Sequence, residues 1–150
     1  MSHIAITYHF VFCTYLRKKV INIEHERELY KFIYEFSEKR GIKIRRIGGM
    51  PDHVHILCDV PPKMSVSEYA KLIKAESSKF LHVNNNFPYW EKWAEGYAAV
   101  SVEASLRQVR VEYIKNQKQH HARQSFETEY TEFLKEYGFG VDTPLLGDEK

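Results

Sequence analysis

Residues 53–60, His-Val-His-Ile-Leu-Cys-Asp-Val, set two histidines one residue apart in an apolar run, and no other stretch constrains the fold as much. Alternate side chains of a β-strand share a face, so His53 and His55 project side by side while Val54, Ile56, Cys58 and Val60 project from the other. A strand of this kind needs an apolar layer packed on one face and carries a polar pair on the other. Two neighbouring imidazoles can hold one divalent ion, but many such ions bind imidazole, so zinc, manganese and magnesium all stay open. A second reading also stays open, in which one histidine caps the strand and the other is a hydrogen-bonded core residue.

The flanking segments define what surrounds that strand. Ile4 to Phe12 alternate large apolar residues and read as a half-buried strand, followed by a basic turn at Arg17-Lys18-Lys19. Residues 24–40 read as a helix, with Leu29, Phe32, Ile33 and Phe36 at helical spacing and Gly41 as its stop. Ile42, Ile44 and Ile47 suggest a strand ending at Gly48-Gly49. After Pro61-Pro62, Ser65 and Glu68 form a capping box for a helix over 66–81 that turns Tyr69, Ala70, Ile73, Ser77 and Phe80 inward. Residues 96–102 read as a further strand, 104–121 as a third helix and 126–137 as a short acidic helix closed by Gly138. The order predicts an α+β fold of the ferredoxin-like, split βαβ kind, an antiparallel four- to five-stranded sheet with helices on one face. Residues 1–142 form one expected domain, and 143–150 an expected flexible tail.

A chain of 150 residues with 43% hydrophobic and 14% aromatic residues can bury a real core. No run approaches the roughly 18 apolar residues of a membrane span, and the N-terminus lacks an export-signal pattern. Cys13 and Cys58 fall in expected strands and read as small reduced core residues, so the expected location is the cytoplasm. Charge is unevenly spread. Residues 1–124 carry 20 Lys and Arg against 13 Asp and Glu, whereas residues 125–150 carry 2 against 7. A basic body suits a phosphate-rich partner, although an ordinary solvated surface explains it equally well.

On the third expected helix Tyr113 and Gln117 are four residues apart and share a face. Tyr113 continues an apolar stripe with Leu106 and Val109, which suits a core aromatic, while the amide of Gln117 needs a partner if buried and offers a hard oxygen ligand. His120-His121 point about 100° apart on a helix, a poor shared metal site, and read as a helix terminus near solvent or phosphate. His3, His9, His25 and His82 are isolated and read as surface or interface residues. Arg45, Arg46, Lys115, Lys118 and Arg123 could line a nucleic-acid groove, although each is more simply a solvated cation. The chain has no glycine-rich phosphate loop, C-x-x-C, H-E-x-x-H or G-x-S-x-G motif. Acidic residues near the histidine strand are limited to Asp52 and Asp59, which argues against a carboxylate-rich two-metal nuclease.

Taken together, Pro51-Asp52-His53-Val54-His55-Ile56-Leu57, Glu95 to Val102, and Val111-Glu112-Tyr113-Ile114-Lys115-Asn116-Gln117 followed by His120-His121 resemble the single-tyrosine HUH transposases of small bacterial insertion sequences. The resemblance extends through Ser125-Phe126 and Glu129-Tyr130 to Phe133-Leu134, nearly the whole chain. It implies a DNA transposase that cleaves and rejoins single-stranded DNA at hairpin-marked ends through a 5′-phosphotyrosine intermediate. It implies Tyr113 as nucleophile and His53, His55 and Gln117 as ligands of a divalent metal, Mg²⁺ or Mn²⁺. Its implied partners are hairpin-bearing single-stranded DNA and a second copy in a homodimer, without a membrane. A non-catalytic single-strand nucleic-acid-binding module is the alternative, as is a domesticated relative with a host role in DNA processing. A zinc hydrolase is disfavoured by the scarcity of acids around His53.

Overall fold

The computed structural model describes residues 1–140 together with Thr143 and Leu146. The expected tail therefore lies outside the described residues, apart from those two. Four strands, β1 (Thr7–Cys13), β2 (Lys43–Met50), β3 (His53–Asp59) and β4 (Ala98–Val102), form one antiparallel sheet in the order β2-β3-β1-β4. The crossovers are α1 (Glu26–Glu38) between β1 and β2, and α2 (Val66–His82) between β3 and β4. This is the split βαβ arrangement, with four strands.

The period-two pattern decides the layers. Phe10 and Phe12 of β1 share a face with Val54, Ile56 and Cys58 of β3, and there they pack against Leu29 and Ile33 of α1 and Tyr69, Ala70 and Ile73 of α2. Buried polar groups in this layer are paired: Ser37 with the Tyr69 hydroxyl at 2.8 Å, and the Trp93 indole donating to Ser77 Oγ at 2.9 Å. Ser65 caps α2 by accepting from the Glu68 N–H at 3.1 Å, a contact of about 1 kcal/mol.

α1 and α2 cover this face, but the helices are not confined to one face as expected. The opposite face is covered as well, by α3 (Arg107–Lys115), α4 (Gln117–His121) and α5 (Phe126–Glu136). Val11, Cys13, Ala98 and Val100 pack there against Phe126, Tyr130, Phe133 and Leu134 of α5, while Leu57 and Val102 pack against Ile114 of α3. Cys13 and Cys58 are both buried, on opposite faces of the sheet, and no disulfide joins them. The third helix expected over 104–121 is divided. A 3-10 turn at Ala104–Leu106 precedes α3, and Asn116 (φ −96°, ψ 20°) separates α3 from α4. Its apolar stripe is also placed differently from the expectation. Leu106 and Val109 are exposed, and the buried face consists of Arg110, Ile114 and Gln117. Among the described residues no helix is long and apolar enough to cross a membrane.

Candidate metal and nucleophile site

The site is built on β3, which lies between β2 and β1. His53 and His55 are buried on the α3–α5 face, opposite Met50 and Gly48 of β2 and opposite Cys13 and Val11 of β1. Gly48 is there for space. A Cβ at that position would stand 2.7 Å from the Ile114 carbonyl oxygen, so only glycine lets α3 lie this close to the histidines. Tyr113, the residue before Ile114, is thereby held with its ring 5.7 Å from that of His55. The nucleophile and metal-ligand candidates thus meet within a single chain.

Each histidine has one nitrogen fixed by a neighbour. His53 Nδ1 donates to Asp52 Oδ1 at 2.7 Å. Its Nε2 lies 3.0 Å from Gln117 Oε1, and the Gln117 amide is oriented by donating from Nε2 to Glu129 Oε2 at 3.1 Å. A neutral His53 therefore opposes a ring lone pair to an amide oxygen, two acceptors with nothing between them. His55 Nδ1 bonds His9 Nε2 at 2.8 Å. His55 Nε2 and Glu129 Oε1 are both buried without a hydrogen-bond partner, 3.4 Å apart, and His53 Nε2 is 3.6 Å from the same oxygen. Unpaired buried acceptors cost about 1–3 kcal/mol each. Facing one another, they suit a cation shared by His53, His55 and Glu129, whose ligand atoms all lie within 4.8 Å of one another. Two imidazole nitrogens, a carboxylate oxygen and the adjacent Gln117 amide oxygen make a donor set fit for a divalent ion.

The protonation states agree with this reading. Burial, with smaller help from His53 and His121, outweighs the opposing pull of Glu129 and lowers the His55 pKa to about 4, leaving a neutral ring with a lone pair to give. Burial and the nearby His55 and Arg110 hold His9 well below the ordinary histidine value, so a neutral His9 shares a single ring-to-ring hydrogen bond with His55 Nδ1 and orients that ring. Burial alone would raise the Glu129 carboxyl, but the histidines around it, His121 first, outweigh burial and hold it well below the ordinary carboxylate value. The Tyr113 phenol is raised well above the ordinary tyrosine value, first by burial and then by the Glu129 charge.

Several expectations change here. His9 is no surface residue but fully buried within the cluster. His120 and His121 do end a helix, α4, with His120 about one-third exposed, but the His121 side chain is buried and their Nε2 atoms lie 3.2 and 3.0 Å from Glu129 Oε2. Acids near the histidines are not limited to Asp52 and Asp59: Glu129 was missed, and Asp59 lies apart, gripped by Arg45 through bonds of 2.8 and 2.7 Å. Arg45 is therefore committed to the fold, as is Lys118, which donates to Glu26 at 3.0 Å and to the Gly49 carbonyl at 2.6 Å. Arg46, Lys115 and Arg123 are exposed, and Arg123 lines an open cleft of about 570 Å³ beside His120, Asn116 and Gln119. The signal for Glu129 was its position among Phe126, Tyr130 and Phe133, a lone carboxylate on the apolar stripe of an otherwise ordinary amphipathic helix.

Paired strand histidines, a tyrosine and a glutamine thus meet on one face of a ferredoxin-like sheet, and comparison with known proteins gives the family. The model of the IS200-like transposases matches residues 2–117, which include His53, His55, Tyr113 and Gln117. The transposase for insertion sequence element IS200 of Salmonella typhimurium is 30% identical over 115 residues, 73% of this chain and 75% of the relative. The ISDra2 transposase TnpA of Deinococcus radiodurans is 24% identical over 119 residues, 75% of this chain and 84% of that protein. In fold, the chain is similar to a REP-associated tyrosine transposase solved with a REP hairpin, at a TM-score of 0.60 and 15% identity, covering 100% of this chain and 95% of that one. The chain belongs to the IS200-like transposase family. It is a transposase, an enzyme that cuts and transfers DNA strands.

Proposed function

We propose that this transposase cleaves and rejoins hairpin-bearing single-stranded DNA, with Tyr113 as nucleophile and a divalent ion, Mg²⁺ or Mn²⁺, at His53, His55, Gln117 and Glu129. One observation carries the reading: the Tyr113 ring stands 5.7 Å from His55, beside two buried acceptors that lack any partner. A divalent ion there would polarise the scissile phosphate, offset charge growing on its oxygens and favour the phenolate. Tyr113 supplies the oxygen that bonds to phosphorus. As the P–O3′ bond breaks, the 3′-oxygen takes up a proton and the phenolic proton is lost to solvent. The resulting 5′-phosphotyrosine conserves a phosphoester, so a later 3′-hydroxyl can attack it without an external energy source. Asp52 and His9 orient the rings of His53 and His55. Tyr113 and the four ligand candidates meet within one chain, and a homodimer would bring two such sets to two DNA ends.

The test is formation of a covalent adduct. Incubation with hairpin DNA carrying a 5′ flank and Mn²⁺ or Mg²⁺ should yield a protein–DNA species resistant to denaturation, absent in Tyr113→Phe and absent with chelator. An adduct that persists in Tyr113→Phe moves the nucleophile elsewhere. Tight hairpin binding with no adduct in the wild type makes the chain a binding module.

A further inference from the structure

The helix that carries Tyr113 also buries an arginine that the metal and the nucleophile leave unused. Arg110 lies three residues before Tyr113 on α3, hence on an adjoining part of the same face. Its side chain is about one-tenth exposed, and its Nε is buried without a hydrogen-bond partner. One terminal nitrogen donates to Glu136 Oε1 at 2.7 Å, and the guanidinium lies 5.2 Å from the centre of the Tyr137 ring. Arg110, Tyr113, His120, Glu129 and Glu136 line one narrow cleft of about 80 Å³.

The pairing does not explain the burial. Glu136 is 58% exposed, and an ion pair open to solvent on one side does little to hold α5 against α3. A guanidinium that is permanently charged, almost wholly desolvated and short of one partner is costly to keep for that purpose. Its planar fork matches two oxygens on one centre, the arrangement shared by a carboxylate and by the nonbridging oxygens of a phosphodiester. Glu136 now offers the first, from the exposed side of the cleft that Tyr113 also lines.

We propose that Arg110 is a catalytic residue that binds a nonbridging oxygen of the scissile phosphate beside Tyr113, in the place now taken by the Glu136 carboxylate. The inference rests on Tyr113 being the nucleophile. As the phenolic oxygen bonds to phosphorus and the P–O3′ bond breaks, negative charge accumulates on the nonbridging oxygens. The 3′-oxygen takes a proton, the phenolic proton goes to solvent, and Arg110 remains protonated throughout. Its fixed charge thus favours the transition state over the bound diester.

Single-turnover cleavage of hairpin DNA tests this with two substrates, one carrying the ordinary diester and one an uncharged methylphosphonate at the scissile position. Arg110→Ala should slow the diester about 100-fold relative to wild type, the usual scale for losing one such donor. On the methylphosphonate, with no charged oxygen to lose, the slowing should fall below about tenfold. Glu136→Gln, at an exposed position, should fold normally and cleave the diester faster than wild type because it no longer competes for the guanidinium. Equal slowing of both substrates by Arg110→Ala overturns the proposal. If Arg110→Ala does not fold, Glu136→Gln decides alone, and a rate at or below wild type overturns it. A Tyr113 adduct in the wild type alongside either negative result sinks this inference only, whereas absence of that adduct sinks the nucleophile reading and this one with it.

Discussion

Glu129→Gln separates an ion-binding carboxylate from a merely structural one, because the two roles shift stability in different directions. Without an ion, Glu129 Oε1 and His55 Nε2 face each other unpartnered across 3.4 Å. A glutamine of the same size removes a buried charge and can donate N–H to His55 Nε2, so the ion-free variant should melt within about 1 kcal/mol of wild type or above it. With Mn²⁺ at 100 times its dissociation constant, wild type gains about 2.7 kcal/mol. In a chain of this length each kcal/mol moves Tm by roughly 2–4 °C, so the rise should be about 5–11 °C. If loss of the carboxylate weakens the ion tenfold, the same Mn²⁺ gives the variant only about 1.4 kcal/mol, about half the rise. Thermal unfolding of both proteins in chelator and across a Mn²⁺ titration reads this directly. Parallel rises in the two proteins, or no rise in wild type, would refute the assignment of Glu129 to the ion.

Two further predictions concern how the site is held. Gly48→Ala drives a methyl group into the Ile114 carbonyl, 2.7 Å away; it should cost about 1–3 kcal/mol and lower cleavage beyond the fraction unfolded, because α3 carries Tyr113 off its position. A variant with wild-type Tm and wild-type cleavage would show that α3 does not depend on this close approach. At Asp59, burial alone would raise the carboxyl, but bonds from Arg45 and Thr7 hold its pKa below the ordinary value. A depressed folded pKa stabilises above the unfolded value of about 3.9 and is lost as pH falls through the folded value. Asp59→Asn should therefore cost about 1–3 kcal/mol at pH 7 in urea unfolding and progressively less at pH 3 and below; a gap independent of pH would count against the Arg45 pair.

What was legible in the sequence was whatever depends on local periodicity. The alternation over 53–60 fixed which side of β3 carries the histidines, and Ser65 with Glu68 located the start of α2. What was not legible depends on which elements meet. Among isolated histidines nothing in the local sequence marks His9, and it joins the cluster only because β1 pairs with β3 in the register that sets His9 opposite Leu57. Glu129 reaches the site only because α5 folds back over the sheet face that a two-helix split βαβ plan leaves bare. The stripe of Leu106, Val109 and Tyr113 misled for a related reason. The helix uses its Arg110-Ile114-Gln117 face against the sheet, which buries a glutamine and an arginine that apolar periodicity does not mark.

The division of labour between sheet and helices suits the proposed reaction. A covalent intermediate of that kind would require ligands that hold still while a phenolic oxygen and a 3′-oxygen exchange places on phosphorus. His53 and His55 stand on β3, bonded on both edges to other strands, and their rings are oriented by Asp52 and His9, one from the adjoining turn and one from the neighbouring strand. Tyr113, Gln117, His120 and Glu129 come instead from helices packed on that face, with Gln117 Oε1 3.0 Å from His53 Nε2. Backbone bonds from Asn116 to Glu112 and from His120 to Asn116 carry the helical path across the junction, so Arg110, Ile114 and Gln117 keep one buried face and Tyr113 and Gln117 stay about one turn apart. Under the proposed reaction that spacing would let one phosphate meet the tyrosine and the ion beside Gln117 together, with the strand histidines as the fixed reference.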